Sequence, residues 1–192
     1  MAAFALSAPV AAQAGDLEDA VSALRGISTL QASFVQTDRN GRSAGGTLTM
    51  KRPGRIRFQY APGIPMLIVS DGAALTFVDY EARQVQRWPI KNSPLGALLD
   101  PSRDVAKFGT LMSNDPARVV IQVRDRGHPE YGTITLRFAR KGGAPGGMEL
   151  QGWTSVDSQN KQTSIALSNH RYGVGVSDAM FKYNDPRRPA RR

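Results

Sequence analysis

The chain of 192 residues has no cysteine. That excludes disulfides, thiolate metal sites, cysteine catalysis and a lipid anchor on an N-terminal cysteine. Histidine occurs only twice, as His128 in RGHPEYG and His170 in SNHRY. Neither has a nucleophile motif or a metal-ligand neighbour at useful spacing, so both read as structural, and we expect no catalysis, no metal and no cofactor. Ser70-Asp71-Gly72 reads as a hairpin turn rather than a catalytic serine. No apolar run is long enough to cross a bilayer as a helix. Acidic residues are the scarcer charge, 16 against 25 basic ones, which leaves a net charge of +9.

Four of those nine charges, Arg187, Arg188, Arg191 and Arg192, sit in the closing PRRPARR. Residues 185–192 therefore read as a solvated basic tail that faces a partner or an anionic surface. The other basic residues are mostly interleaved with apolar ones, as on a solvated sheet face. Basic charge permits nucleic-acid binding, but neither an RRM-like aromatic pair nor a helix-turn-helix pattern is present, and we expect no nucleic-acid partner. The opening MAAFALSAPVAAQA ends in Ala12-Gln13-Ala14, an A-x-A cleavage pattern. Residues 1–14 read as the end of an export signal without its positive start, the alternative being an Ala-rich arm. Residues 15–184 are then one domain, and export of a chain without cysteine fits a bacterial periplasm.

Apolar alternation with tight turns dominates the middle of the chain. Strands are expected at 29–37, 45–52, 55–60, 66–70, 74–80, 83–88, 117–125, 132–140, 147–156 and 162–172, with a last short one at 181–183. Asn40-Gly41 and Asp71-Gly72 are hairpin turns. Two short helices interrupt the pattern. Asp16 is expected to cap the first, whose stripe is Leu17, Ala20, Val21 and Leu24. Ser93 is expected to cap the second, with Pro94 at its first position and Leu95, Leu98 and Leu99 on one face. A further helical turn is expected within 102–108, with Val105 and Phe108 inward.

About eleven antiparallel strands must curl or close. The expected fold is mainly β, a curved antiparallel sheet with two or three short helices, placed most economically over its open mouth. Its concave face is expected to carry Phe34, Leu48, Met50, Ile56, Phe58, Leu75, Phe77, Ile134, Leu136, Phe138, Ile165 and Leu167. On pattern alone the interior is either a solid core plugged by the helices or a cavity for an apolar ligand. Likewise 51-KRPGRIRFQY-60 leaves Arg52 either on the surface at a strand end or pointed inward, whereas Arg55, Arg57 and Gln59 face water.

Four ordered segments carry a resemblance: ASFVQT, the glycine-led strand ending in MKRPGRIRFQY, LIVSDG and SPLGALL. In order and spacing they resemble the LolA family of periplasmic outer-membrane lipoprotein carriers, over roughly the first half of the mature chain. The second half resembles it more weakly, in strand pattern and near FKYNDP. The resemblance implies a half-open β-barrel whose lid-covered cavity takes the acyl chains of lipoproteins. It implies an inner-membrane ABC transporter as donor, an outer-membrane acceptor where one exists, and no hydrolysis. It gives Arg52 the role of a latch on backbone groups of the lid helices. Leu24, Leu98 and Leu99 match the lid positions, beside Leu17, Val21 and Leu95 on the same stripes. The role implies a monomer. The chain departs from better-known members in its basic charge and in lacking an added C-terminal strand and loop, which leaves the contact between C-terminus and transporter open. The alternative is a lipid-binding or lipid-sensing periplasmic protein of the same fold.

Overall fold

A computed structural model describes residues 10–100 and 105–187. Among these, eleven strands form one antiparallel sheet. The first six are β1 (Thr29–Asp38), β2 (Ser43–Lys51), β3 (Arg55–Tyr60), β4 (Met66–Asp71), β5 (Ala74–Asp79) and β6 (Gln84–Pro89). The rest are β7 (Gly109–Asn114), β8 (Arg118–Val123), β9 (Thr133–Arg140), β10 (Met148–Val156) and β11 (Gln162–Tyr172). The spatial order is β6-β5-β4-β3-β2-β1-β11-β10-β9-β8-β7. Two meanders are thus joined where β1 pairs with β11, from Leu30 opposite Tyr172 to Asp38 opposite Thr163. β6 and β7 are the two free edges, so the barrel is half open.

This topology fixes the lid. The chain leaves one edge at β6 and re-enters the sheet at the other edge, β7, so the connection between them, described over 90–100 and 105–108, crosses the opening. That crossing carries α2 (Gly96–Leu99) and α3 (Val105–Phe108), and α1 (Val10–Gly26) lies across the same side before β1. Ala20, Val21, Ala23 and Leu24 bury one face of α1. Gly146 lets the turn Pro145–Gly147 come close to α1: a Cβ there would lie 2.8 Å from Ala23 Cα.

Several expectations change. Asp16 does not cap α1, which starts at Val10 and runs through the Ala14-Gly15 junction; Asp16 lies inside the helix, buried, and pairs with Arg140. Residues 1–9 and 188–192, which hold most of the expected export signal and basic tail, lie outside the described residues, as does 101–104. α2 begins at Gly96 rather than Pro94, although the Ser93 hydroxyl does accept the Leu95 N–H at 3.1 Å. The strand expected at 181–183 is absent. In its place a 3-10 turn, Asp178–Phe181, is started by Ser177, whose hydroxyl accepts the Ala179 N–H. The eleventh strand is instead β7, GTLMSN, whose Gly, Ser and Asn carry little strand preference and whose edge position leaves Met112 exposed.

Arg55 and Arg57 do not simply face water. The C-terminal segment 174–183 runs as a strap over the outer side of β3–β5, where Phe181 is buried with Leu67, Val69 and Val78 in a second apolar cluster. Arg57 donates to the carbonyls of Met180 and Lys182, each at 3.0 Å. A row of cations alternating with apolar residues looks solvated in a linear reading because the covering strap lies more than 120 residues away.

Candidate functional site: a lid pinned over an apolar interior

β2 and β3 are joined by the turn Arg52-Pro53-Gly54. Gly54 has φ +68, and a Cβ there would lie 2.8 Å from Gly72 O, so glycine is what lets this turn lie against the β4–β5 turn. The Arg52 backbone N–H donates to Ser28 O at 2.9 Å, tying the turn to the exit of α1.

The Arg52 side chain points inward, under the lid. Its Nε donates to Leu24 O at 3.0 Å and to Ile27 O at 3.1 Å. Its Nη2 donates to Leu24 O at 2.7 Å and to Leu98 O at 3.2 Å, and its Nη1 to Leu99 O at 2.7 Å. One guanidinium thus joins the C-terminal carbonyls of α1 to those of α2. Those carbonyls have no partner within their own helices and carry partial negative charge, and the planar fork of arginine offers five donors to them. Burial pulls the guanidinium below its ordinary value, offset only in part by nearby Asp100, and an arginine starts far enough above neutral to stay charged.

Beneath this pin the lid and sheet share one apolar cluster. It unites Val21, Leu24, Leu98 and Leu99 of the lid with Phe34, Leu48, Met50, Ile56, Phe58 and Leu75 of the first meander. Ile134, Leu136, Phe138, Ile165 and Leu167 complete it from the second meander. Leu17 and Leu95 are half-buried at its margin. Phe77 is the exception: it is only half-buried and belongs to neither apolar cluster, while Val78 beside it turns to the strap. Phe34 packs edge-on against Phe58 and Tyr60, each with ring centroids 5.3 Å apart. The Tyr60 hydroxyl donates to Gln36 Oε1 at 2.7 Å, and burial pushes its pKa up to about 12.

In this closed arrangement side chains fill the interior, and space remains at the lid's margins. A cleft of about 290 Å³ opens at the mouth between Phe58, Ile68, Leu75, Trp88, Leu95 and Trp153. Another, of about 240 Å³, lies on the far side of Ser93-Pro94, floored by Phe108, Val123 and Ile134. A third, of about 520 Å³, reaches Arg52 itself between Pro53, Ile90 and Leu99.

Trp88, Trp153 and Ile68 were not among the expected cavity residues. Trp153 is 1% exposed and meets Phe58 edge-on at 6.1 Å. It escapes a period-two reading because the register shifts between Leu150 and Gly152, so that Leu150 and Trp153 both join the core. The only signal was Gly152 itself. It has φ +144, and a Cβ would fall 2.0 Å from Ile165 O.

The two histidines are engaged structurally. His128 is exposed, stacks on Tyr131 and lies 3.0 Å from Glu130. His170 Nε2 is 2.8 Å from Leu150 O. Among the described residues no group of three or more His, Asp or Glu side chains is placed to hold a metal ion, and no helix is long and apolar enough to cross a membrane.

The chain is similar to several known proteins. It is 31% identical over 187 residues to an outer-membrane lipoprotein carrier protein of Dechloromonas aromatica, covering 93% of this chain and 88% of that one. It is 36% identical over 183 residues to an outer-membrane lipoprotein carrier protein of Xanthomonas campestris, covering 88% and 84%. Among solved structures, a LolA superfamily protein from Nitrosomonas europaea superposes with a TM-score of 0.51 at 11% identity, over 89% of this chain and 97% of that one. An uncharacterized conserved protein from Thermus thermophilus gives 0.53 at 12% identity, over 88% and 94%. These two share the fold. The sequence profile described as "Outer membrane lipoprotein carrier protein LolA" matches residues 25–184. By that match and these relatives, the chain belongs to the LolA family.

Proposed function

We propose that this chain is a periplasmic carrier that shields the acyl chains of lipoproteins in transit to the outer membrane. It receives them from an inner-membrane ABC transporter, passes them to an outer-membrane acceptor where one is present, and works as a monomer without catalysing a reaction. The observation that carries this reading is the single Arg52 side chain bonded to carbonyls of both lid helices above one continuous apolar interior.

Arg52 acts as the latch. Charge-assisted hydrogen bonds of this kind contribute about 1.5–3 kcal/mol each, and less in sum when one guanidinium makes them all. Water replaces part of that when the lid lifts. An acyl chain that buries about a dozen methylenes gains roughly 10 kcal/mol. The comparison favours a lid that stays shut when empty, opens under an acyl chain, and recovers its arginine bonds as cargo leaves. Leu95, Leu98 and Leu99 line the moving side, and Phe58, Leu75 and Trp153 the fixed side at the mouth. The named relatives, both called outer-membrane lipoprotein carrier proteins, support the cargo class.

The test is native mass spectrometry of the chain isolated from a periplasmic extract, followed by solvent extraction. Co-purifying triacylated protein is expected. An apo mass alone, with no uptake of an added triacylated lipopeptide, would contradict the proposal.

A further inference from the structure

The turn that carries Arg52 is gripped from outside by the C-terminal strap. Lys51 ends β2, Arg55 begins β3, and the two are register partners directly across the turn. Both bond the same atom. Lys51 Nζ donates to Asp178 Oδ1 at 2.6 Å, and Arg55 Nη1 donates to that oxygen at 2.9 Å. One carboxylate thus bridges the two legs of the hairpin whose tip holds the lid.

The strap is itself well anchored. Thr29 Oγ1 donates to Val174 O at 2.8 Å, and Lys51 Nζ donates also to Val176 O at 2.9 Å. Phe181 sits in the outer apolar cluster and Arg57 holds the carbonyls on either side of it. Asp178 is therefore presented by a fixed segment. On the turn's other flank, Ser70, fully buried, donates through its hydroxyl to Gly54 O at 2.7 Å.

We propose that Asp178 is a positioning residue for the Arg52 latch, so that the C-terminal strap sets how firmly the lid is held. The inference rests on the latch reading given above. Its physical basis is the pair of like charges. Without the Asp178 carboxylate, Lys51 and Arg55 face each other across the three-residue turn 52–54, and like charges in directly opposed strand positions repel. Spreading of the hairpin legs displaces the Arg52 backbone, and a guanidinium that needs 2.7–3.2 Å to four carbonyls tolerates little displacement. The ion pairs are partly exposed, so the effect is a tuning of the latch rather than its loss.

Amide hydrogen exchange of the purified empty protein reads the lid without any cargo. The peptides to follow are residues 20–28, the end of α1, and 95–100, around α2. Arg52→Leu is expected to speed exchange there at least tenfold. Asp178→Asn is expected to speed it about two- to fivefold, the range for partly exposed ion pairs, with exchange in β1 and β11 unchanged, and Asp178→Glu to restore slow exchange. Arg52→Leu combined with Asp178→Asn is expected to exchange no faster than Arg52→Leu alone, because both act through one contact. If Asp178→Asn leaves the lid as slow as wild type while Arg52→Leu opens it, the coupling is wrong and the latch stands. A full extra factor in the double variant, or a uniform rise across the sheet, likewise overturns the coupling. If Arg52→Leu itself changes nothing, the latch reading fails first and takes this inference with it.

Discussion

Arg52 ties two helix ends together through one side chain, and Gly152 lets β10 lie against β11 by having none. Arg52 was marked by its place before Pro53-Gly54, but residue pattern left its direction open. Only the likeness of four ordered segments to the LolA family implied an inward latch. A linear reading cannot supply that direction, because the carbonyls it meets belong to Leu24, Ile27, Leu98 and Leu99, more than twenty residues away on either side. Gly152 is the opposite case. It was legible as a glycine in a strand, a usual sign of a bulge, yet its consequence for Trp153 was not drawn. Gly152→Ala forces a Cβ into the Ile165 carbonyl at a φ that favours glycine. We expect a loss of more than about 2 kcal/mol in urea unfolding, in the range of strained backbone and overpacked sites. A midpoint within error of wild type would show that β10 can reorganise around the bulge.

At the scale of elements, the long regular pieces were legible and the short irregular ones were not. β1, β3 and β9 alternate cleanly, and Asn40-Gly41 and Asp71-Gly72 mark the β1–β2 and β4–β5 turns. β7 was missed and the strand at 181–183 was misassigned for related reasons. An edge strand needs no hydrophobic alternation, and three residues around Phe181 are held by side-chain contacts rather than a ladder. Both lid stripes are legible as faces needing a partner, and in the structure Val21, Leu24, Leu98 and Leu99 join the apolar cluster of the sheet. The pattern places both helices over the open mouth; the strand order that puts β6 and β7 at opposite edges, and so makes their connection span that mouth, is not legible in it. Leu95, half-buried at the mouth cleft, is the place to test that element's role in the proposed carrier. Leu95→Glu is expected to weaken binding of a fluorescent acyl probe at least tenfold while leaving the circular dichroism spectrum intact. Leu98→Glu, at a fully buried position, should weaken binding as well and also destabilise the fold. Undiminished probe binding by Leu95→Glu would remove the mouth cleft from the acyl path.

For the whole molecule, strand number implies a sheet that curls or closes, and the likeness to the LolA family implies the half-open barrel. The second core beneath the strap is legible in neither, since it joins residues 67–78 to 176–183. The same scale governs acid stability. Hydrogen bonds from Arg42 to Asp38 and from Lys51 to Asp178 hold those carboxyls below their ordinary range, as does the Ala117 N–H for Asp115. For Glu149 burial pushes upward, but Lys141 and His170 outweigh it and the net shift is also downward. A carboxyl with a depressed folded pKa stabilises the fold fully above its unfolded value, and loses that contribution as pH falls through the folded one. The melting temperature is therefore expected to stay nearly level from pH 7 to about 5 and to fall below about pH 4. A melting temperature that rises on acidification through that window would mean these pairs do not stabilise the folded chain.

In the proposed carrier, Arg52 holds the empty lid shut and helps it reclose as cargo leaves. The most direct test of that role is the acylated fraction of wild type and Arg52→Leu, isolated from the same periplasm and weighed intact by native mass spectrometry. Wild type is expected as a mixture of empty and acyl-loaded chains, and Arg52→Leu mostly loaded because its lid no longer recloses to expel cargo. Equal loading of the two proteins, or no acylated mass on either, would contradict that role.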